Sequence, residues 1–214
     1  MICSVKWNKG DRVMNLPNKL TVARIIMTPL FMAAMLIEFP HHYLVAVLMF
    51  AVAALTDLLD GKIARARGIV TNFGKFLDPL ADKMLTTSAF IAFLAKGFGT
   101  GIAWVLFIVL FREFMIASLR LVAVSSETKK VIPANIWGKI KTVTQMVAII
   151  FGIAVLYFNE SVLPLLNGIL SATNEITAVL YIVFDVLLWI STLFAVISGV
   201  IYMKDSFEFI DPSK

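Results

Sequence analysis

Two pairs of aspartates, Asp57/Asp60 and Asp78/Asp82, have the residue types and spacing to do chemistry. Their members are three and four positions apart, so within helices each pair shares one face. Each pair sits at the end of an apolar run, where a charged group costs about 2.5–3.5 kcal/mol on membrane-insertion scales. Converging carboxylates also repel, by about 4 kcal/mol for a pair at ~4 Å in an effective dielectric near ~20. A positive partner must offset both costs, and hard divalent cations prefer oxygen ligands. The stretch therefore reads as a metal-dependent active site at a membrane surface. Between the pairs, Gly61 and Ala64 lack bulk and leave a ligand room to approach the backbone. Lys62 and Arg65 add positive charge suited to phosphate oxygens. Gly74 is expected in the turn that returns the chain to the membrane. Pro79 is expected in the first turn of the helix that follows.

The elements that must position these residues are membrane helices. The 214 residues are 60% hydrophobic and 15% charged, with a mean hydropathy of +0.90. Soluble domains carry roughly 25% charged residues, so an ordinary soluble domain is excluded. Six apolar segments, near 21–38, 42–61, 79–96, 100–123, 140–158 and 176–203, each approach the ~20 residues that a spanning helix needs. The expected fold is all-α and polytopic, with six transmembrane helices in one membrane domain over 15–204. Residues 1–14 form an extension before it and 205–214 a tail. A leading break at Asn15–Asn18 would precede a first helix capped by Asn18 or Thr21. Loops are expected at 62–75, 124–139 and 160–174, the last containing Pro164 and Gly168.

Lys and Arg gather at the amino terminus, in 62–75 and 124–139, and at the carboxyl terminus. The positive-inside rule places both termini and the aspartates on the cytoplasmic side of the cell membrane. The same bias, with anionic lipid headgroups, accounts for the net charge of +5 without nucleic acid. The single cysteine, Cys3, excludes an intramolecular disulfide. His41 and His42 follow Pro40 and read as plain loop residues, which leaves no zinc site.

The pattern Asp57-x2-Asp60-Gly61-x2-Ala64-Arg65-x8-Gly74-x3-Asp78-x3-Asp82 resembles the signature of the CDP-alcohol phosphotransferase family at every fixed position. That resemblance implies a six-helix membrane enzyme, usually a homodimer, that transfers a phosphatidyl group from CDP-diacylglycerol to an alcohol and releases CMP. It implies that Asp57, Asp60, Asp78 and Asp82 hold two divalent cations, Mg²⁺ or Mn²⁺, and that Asp82 is the general base. It also implies CDP contacts from Asp57, Gly61, Arg65 and Gly74.

The acceptor is read from other residues. Asn15-x-Pro17-Asn18-x2-Thr21-x2-Arg24, Arg112-Glu113-Phe114, Leu119-Arg120 and Gly138-Lys139-Ile140-Lys141-Thr142 with Gln145 resemble the branch of that family whose acceptor is sn-glycerol 3-phosphate. Arg112 and Arg120 are about two helical turns apart on one face, and Lys139 and Lys141 open the next segment. Four cations suit a phosphorylated alcohol better than serine or a neutral inositol. Other acceptors stay open: phosphatidylglycerol, inositol phosphate or serine. Outside the class, a carboxylate-based cation transporter would place its carboxylates near the bilayer middle rather than at segment ends. Arg112 has a structural alternative in pairing with Glu113, and Arg120 and Lys141 in snorkelling to the interface. Glu113 either orients Arg112 or shapes the acceptor pocket. Asp185, inside the last apolar run, has no assignment. The resemblance begins after Met14, which makes Met14 the expected natural start.

Overall fold

In the computed structural model of the chain, the described residues are 16–67, 72–125, 136–166 and 173–206. All their regular structure is helical. Helix α1 is Leu16–Leu36, α2 His42–Arg67, α3 Asn72–Ala95, α4 Ile102–Ser125 and α5 Ile136–Tyr157. A π-helical turn, Phe158–Val162, joins α5 to the short α6, Leu163–Leu166, and α7 runs Thr173–Asp205. Residues 1–15, including the extension expected before the membrane domain and Asn15 of the amino-terminal motif, and the tail from 207 lie outside the description.

Among the described residues, four stretches are long and apolar enough to cross a membrane: Asn18–Leu36, Ile102–Val122, Ile136–Leu166 and Asn174–Asp205. A shorter apolar stretch, His42–Thr56, belongs to α2. The protein is therefore a multi-pass membrane protein. At 1.5 Å per residue the 33 residues of α7 extend about 50 Å, beyond the ~30 Å hydrocarbon layer.

Several expected boundaries are corrected. The loop expected at 62–75 is largely helical, because Lys62, Ala64, Arg65, Ala66 and Arg67 are strong helix formers and carry α2 onward after it has become polar. Gly74 accordingly lies in the first turn of α3, and Pro79 lies inside that helix rather than in its first turn. Proline within a membrane helix is tolerated where neighbouring groups take over the freed backbone partner, and α1 also carries one, Pro29. At the amino end α1 begins at Leu16, so Asn18 and Thr21 are buried helical residues rather than caps. Pro17 there sits where its missing N–H costs nothing. The loop expected from 160 begins later, since helix continues through Pro164 to Leu166.

Helix α1 packs on α2 and α3, α5 on α2 and α7, and α4 on α3 and α7. Phe31, Phe50, Phe90, Phe93, Phe184 and Leu188 fill the centre. Alanines 46, 53, 89, 92, 148 and 195 let the backbones approach, as small residues do between membrane helices. Hydroxyls within the bundle bond to their own helix: Thr28 to the Arg24 carbonyl at 2.9 Å and Thr192 to the Leu188 carbonyl at 2.8 Å. Trp104, Phe107, Phe111 and Phe114 form an exposed face of α4 suited to lipid.

One end of the bundle is tied by long-range polar contacts. His42 is fully buried, with Nδ1 2.9 Å from the Ala34 carbonyl and Nε2 3.1 Å from the Glu160 carboxylate. This corrects its reading as a plain loop residue; only His41, at φ 59, belongs to the turn. Asp185 also has its explanation. Its carboxylate accepts from the Thr100 backbone N–H at 2.9 Å and from the Thr100 hydroxyl, while Trp189 Nε1 donates to the Thr100 carbonyl at 3.0 Å. The α3–α4 turn is thereby fastened to α7. It bends at Gly99 and Gly101, with φ of 102 and 71.

Candidate active site

The other end of the bundle holds the residues with chemical potential. Arg112, Glu113, Ile116 and Arg120 of α4 border a cavity of about 500 Å³. Asp82 and Lys83 of α3, Gly138, Lys139 and Thr142 of α5, and Ser198 and Tyr202 of α7 border it too. The expected base, Asp82, and three of the four expected acceptor cations, Arg112, Arg120 and Lys139, thus share one chamber. Lys141 stands behind its wall and reaches Glu113, which lines it.

Arg112 is held from two sides. Its Nη1 donates to Glu113 Oε1 at 2.7 Å and its Nη2 donates to Ser198 Oγ at 2.7 Å. Two glycines leave the space it needs. A Cβ on Gly199 would lie 3.1 Å from Arg112 Cγ, and one on Gly138 3.6 Å from Nη2. Its Nε is buried without a hydrogen-bond partner among the described residues. Lys141 Nζ donates to the same Glu113 oxygen at 2.8 Å, and Lys83 Nζ is 3.6 Å from the other oxygen. One carboxylate therefore faces three cations.

These contacts bear on the structural alternatives for the cations. Arg112 does pair with Glu113, and it lines the cavity as well. Lys141 does not snorkel: it is 6% exposed and held inside the bundle. Arg120 is turned to α7, its Nε donating to the Tyr202 hydroxyl at 3.3 Å and its guanidinium 5.7 Å from the centre of that ring. Lys139 is exposed at the cavity.

On the amino-terminal side, Arg24 is buried and its Nε donates to the Ala53 carbonyl at 3.3 Å, one helical turn before Asp57. The backbones of Asp57, Asp60, Gly61 and Arg65 are in α2, and those of Gly74 and Asp78 in α3. Their side chains lie outside the described residues. Beside the polar chamber, a mainly apolar groove of about 690 Å³ runs between α1, α3 and α4, past Ile25, Met32, Leu80, Met84, Leu110 and Phe114. Lys83 and Glu113 border both spaces. A polar chamber with cations and a carboxylate, set against an apolar groove, can hold a phosphorylated polar molecule next to a lipid.

Sequence reasoning missed Lys83, Ser198, Gly199 and Tyr202. The last three sit in a long apolar run without a local motif. The available signal was the recurrence of Ser191, Ala195, Ser198 and Tyr202 at helical spacing, all of them buried.

Known proteins match this chain over most of its length. The sequence profile of the CDP-alcohol phosphatidyltransferase family matches residues 14–197. The chain is 37% identical over 206 residues to the CDP-diacylglycerol–glycerol-3-phosphate 3-phosphatidyltransferase of Bacillus subtilis (strain 168), covering 91% of this chain and 96% of that protein. It is 35% identical over 194 residues to the protein of the same name from Rickettsia bellii (strain RML369-C), covering 89% and 94% respectively.

Proposed function

We infer from membership of the CDP-alcohol phosphatidyltransferase family, to which this chain belongs, that it transfers the phosphatidyl group of CDP-diacylglycerol to sn-glycerol 3-phosphate. The products are phosphatidylglycerophosphate and CMP, a step of phospholipid biosynthesis. The observation that carries the acceptor is the chamber shared by Asp82, Arg112, Arg120 and Lys139. It offers a carboxylate for a hydroxyl proton and cations for a phosphate in one space. A free inositol would offer those cations no anion, and serine only one carboxylate in place of a phosphate.

In the reaction, the free primary hydroxyl oxygen of glycerol 3-phosphate attacks the lipid-linked β-phosphorus of CDP-diacylglycerol. The bond from that phosphorus to the bridging oxygen breaks, and CMP departs with its electron pair. The hydroxyl proton passes to the Asp82 carboxylate. Arg112, Arg120, Lys139 and Lys141 hold the acceptor phosphate and so aim the hydroxyl, turning a bimolecular encounter into a positioned one. The chemistry of the donor set, Asp57, Asp60, Asp78 and Asp82, fits two hard divalent cations, Mg²⁺ or Mn²⁺, which supply charge neutralisation of the pyrophosphate when bound. Asp57, Gly61, Arg65 and Gly74 contact the CDP portion. The apolar groove beside Lys83 is placed for the lipid's chains.

We further propose six spans, with both termini and the chamber on the cytoplasmic face of the plasma membrane; the loop charges support this sidedness. The enzyme works as a homodimer, as the family resemblance implies.

The test is to follow CMP release by purified protein given CDP-diacylglycerol, Mg²⁺ or Mn²⁺, and each acceptor in turn. Release stimulated by glycerol 3-phosphate alone is expected. Release with another alcohol would overturn the acceptor reading and leave the family chemistry standing. Ion flux in proteoliposomes without CMP formation would support a transporter instead.

A further inference from the structure

We propose that the Glu113 carboxylate is an internal competitor for the acceptor's phosphate, occupying Arg112 and Lys141 and yielding them when a phosphomonoester enters. The inference rests on the acceptor reading given above. A single oxygen of Glu113 receives Arg112 Nη1 at 2.7 Å and Lys141 Nζ at 2.8 Å. The other Nη of Arg112 is engaged by Ser198 at 2.7 Å. Two of the four cations assigned to the acceptor are thus directed at a carboxylate of the protein itself. That carboxylate lines the chamber, and its side chain is 18% exposed, so an entering anion meets it directly.

Why a carboxylate belongs there follows from the surroundings. Arg112 and Lys141 are cations inside an apolar bundle, and a buried cation needs a paired anion to be stable. A phosphomonoester carries up to two charges on three oxygens and draws on the same N–H donors as a carboxylate. Both anions cannot share those donors cheaply, since like charges in close contact repel strongly where water is excluded. Exchange resolves the conflict. Lys139 is exposed, and among the described residues Arg120 donates to a neutral hydroxyl, so these two receive the phosphate first. Lys83, 3.6 Å from the second Glu113 oxygen, is placed to keep the carboxylate once it has let go of the first pair. A neutral alcohol lacks the charge to drive this exchange, which makes Glu113 a determinant of specificity as well as of affinity.

The experiment compares full-length wild type with Glu113→Gln, measuring KM for glycerol 3-phosphate and the inhibition constant of inorganic phosphate. An internal competitor that holds the cations ~90% of the time raises apparent dissociation constants about tenfold. Both constants are therefore expected to fall about tenfold in Glu113→Gln. Glu113→Asp, whose carboxylate is one methylene short of both donors, should shift both in the same direction and by less. It decides the matter if Glu113→Gln does not fold. Constants that rise or stay level in the folded variant would show that Glu113 only positions the cations, and would overturn the exchange. Wild-type protein that releases no CMP with glycerol 3-phosphate would overturn the functional reading itself, a result distinguishable from failure of the exchange.

Discussion

Arg112 and Ser198 stand 86 positions apart in the chain, yet the guanidinium donates to the hydroxyl at 2.7 Å across the α4–α7 contact. The hydroxyl fixes the plane of a guanidinium whose other Nη holds Glu113. Ser198→Ala removes this anchor from a buried group without adding bulk. KM for glycerol 3-phosphate should rise by about 10- to 100-fold, in keeping with a hydrogen bond to a charged group worth about 1.5–3 kcal/mol. Steady-state kinetics with varied acceptor checks this; a change confined to the CDP-diacylglycerol KM would contradict it.

Asp82 borders the polar chamber, half-buried, beside Lys83. Asp82→Asn keeps the shape and removes the proton acceptor. CMP release should drop by a factor of about 10²–10⁴, the usual contribution of a general base. Asp78→Ala should likewise abolish turnover in folded protein. Metal removal tests the same assembly from outside: a chelator should stop CMP release, and added Mg²⁺ or Mn²⁺ should restore it. Full activity in chelator would refute the metal requirement.

Lys141 and Lys139 are two positions apart on α5 and differ in surroundings. Lys141 is 6% exposed and bonded to Glu113, whereas Lys139 is exposed at the chamber. Lys141→Met leaves the Glu113 carboxylate with fewer partners and should destabilise the protein by about 3–5 kcal/mol, the cost of breaking a buried pair. Lys139→Gln should raise KM for the acceptor while leaving the melting temperature near wild type. Thermal unfolding in detergent, set beside kinetics, separates the two. Equal losses of stability would contradict the assignment.

His42, fully buried between the Ala34 carbonyl and Glu160, fastens the end of the bundle opposite the polar chamber. His42→Ala should lower stability by about 1–3 kcal/mol, since it leaves a buried carbonyl without its partner. His41→Ala, in the turn, should cost far less. A melting temperature equally lowered by both would show that the buried contacts contribute nothing.

The sequence by itself determined the membrane class, the apolar character of its long stretches and the spacing of the aspartates. Hydropathy and near-neighbour spacing are local properties, carried by runs such as 176–203 and by residues three or four positions apart. Its errors were local as well: hydropathy ends a segment where polarity begins, while the backbone of α2 continues to Arg67 and that of α3 begins at Asn72, ahead of Asp78. Only the tertiary structure decided which charges meet. Packing of α4 against α7 gave Arg112 its Ser198 and Arg120 its Tyr202. Lys141 came to Glu113 from 28 positions away, and His42 to Glu160 from 118. Such partners are chosen by which helix faces touch, and in an apolar bundle that choice rests on shape and small residues such as Gly138 and Gly199, which no linear spacing encodes.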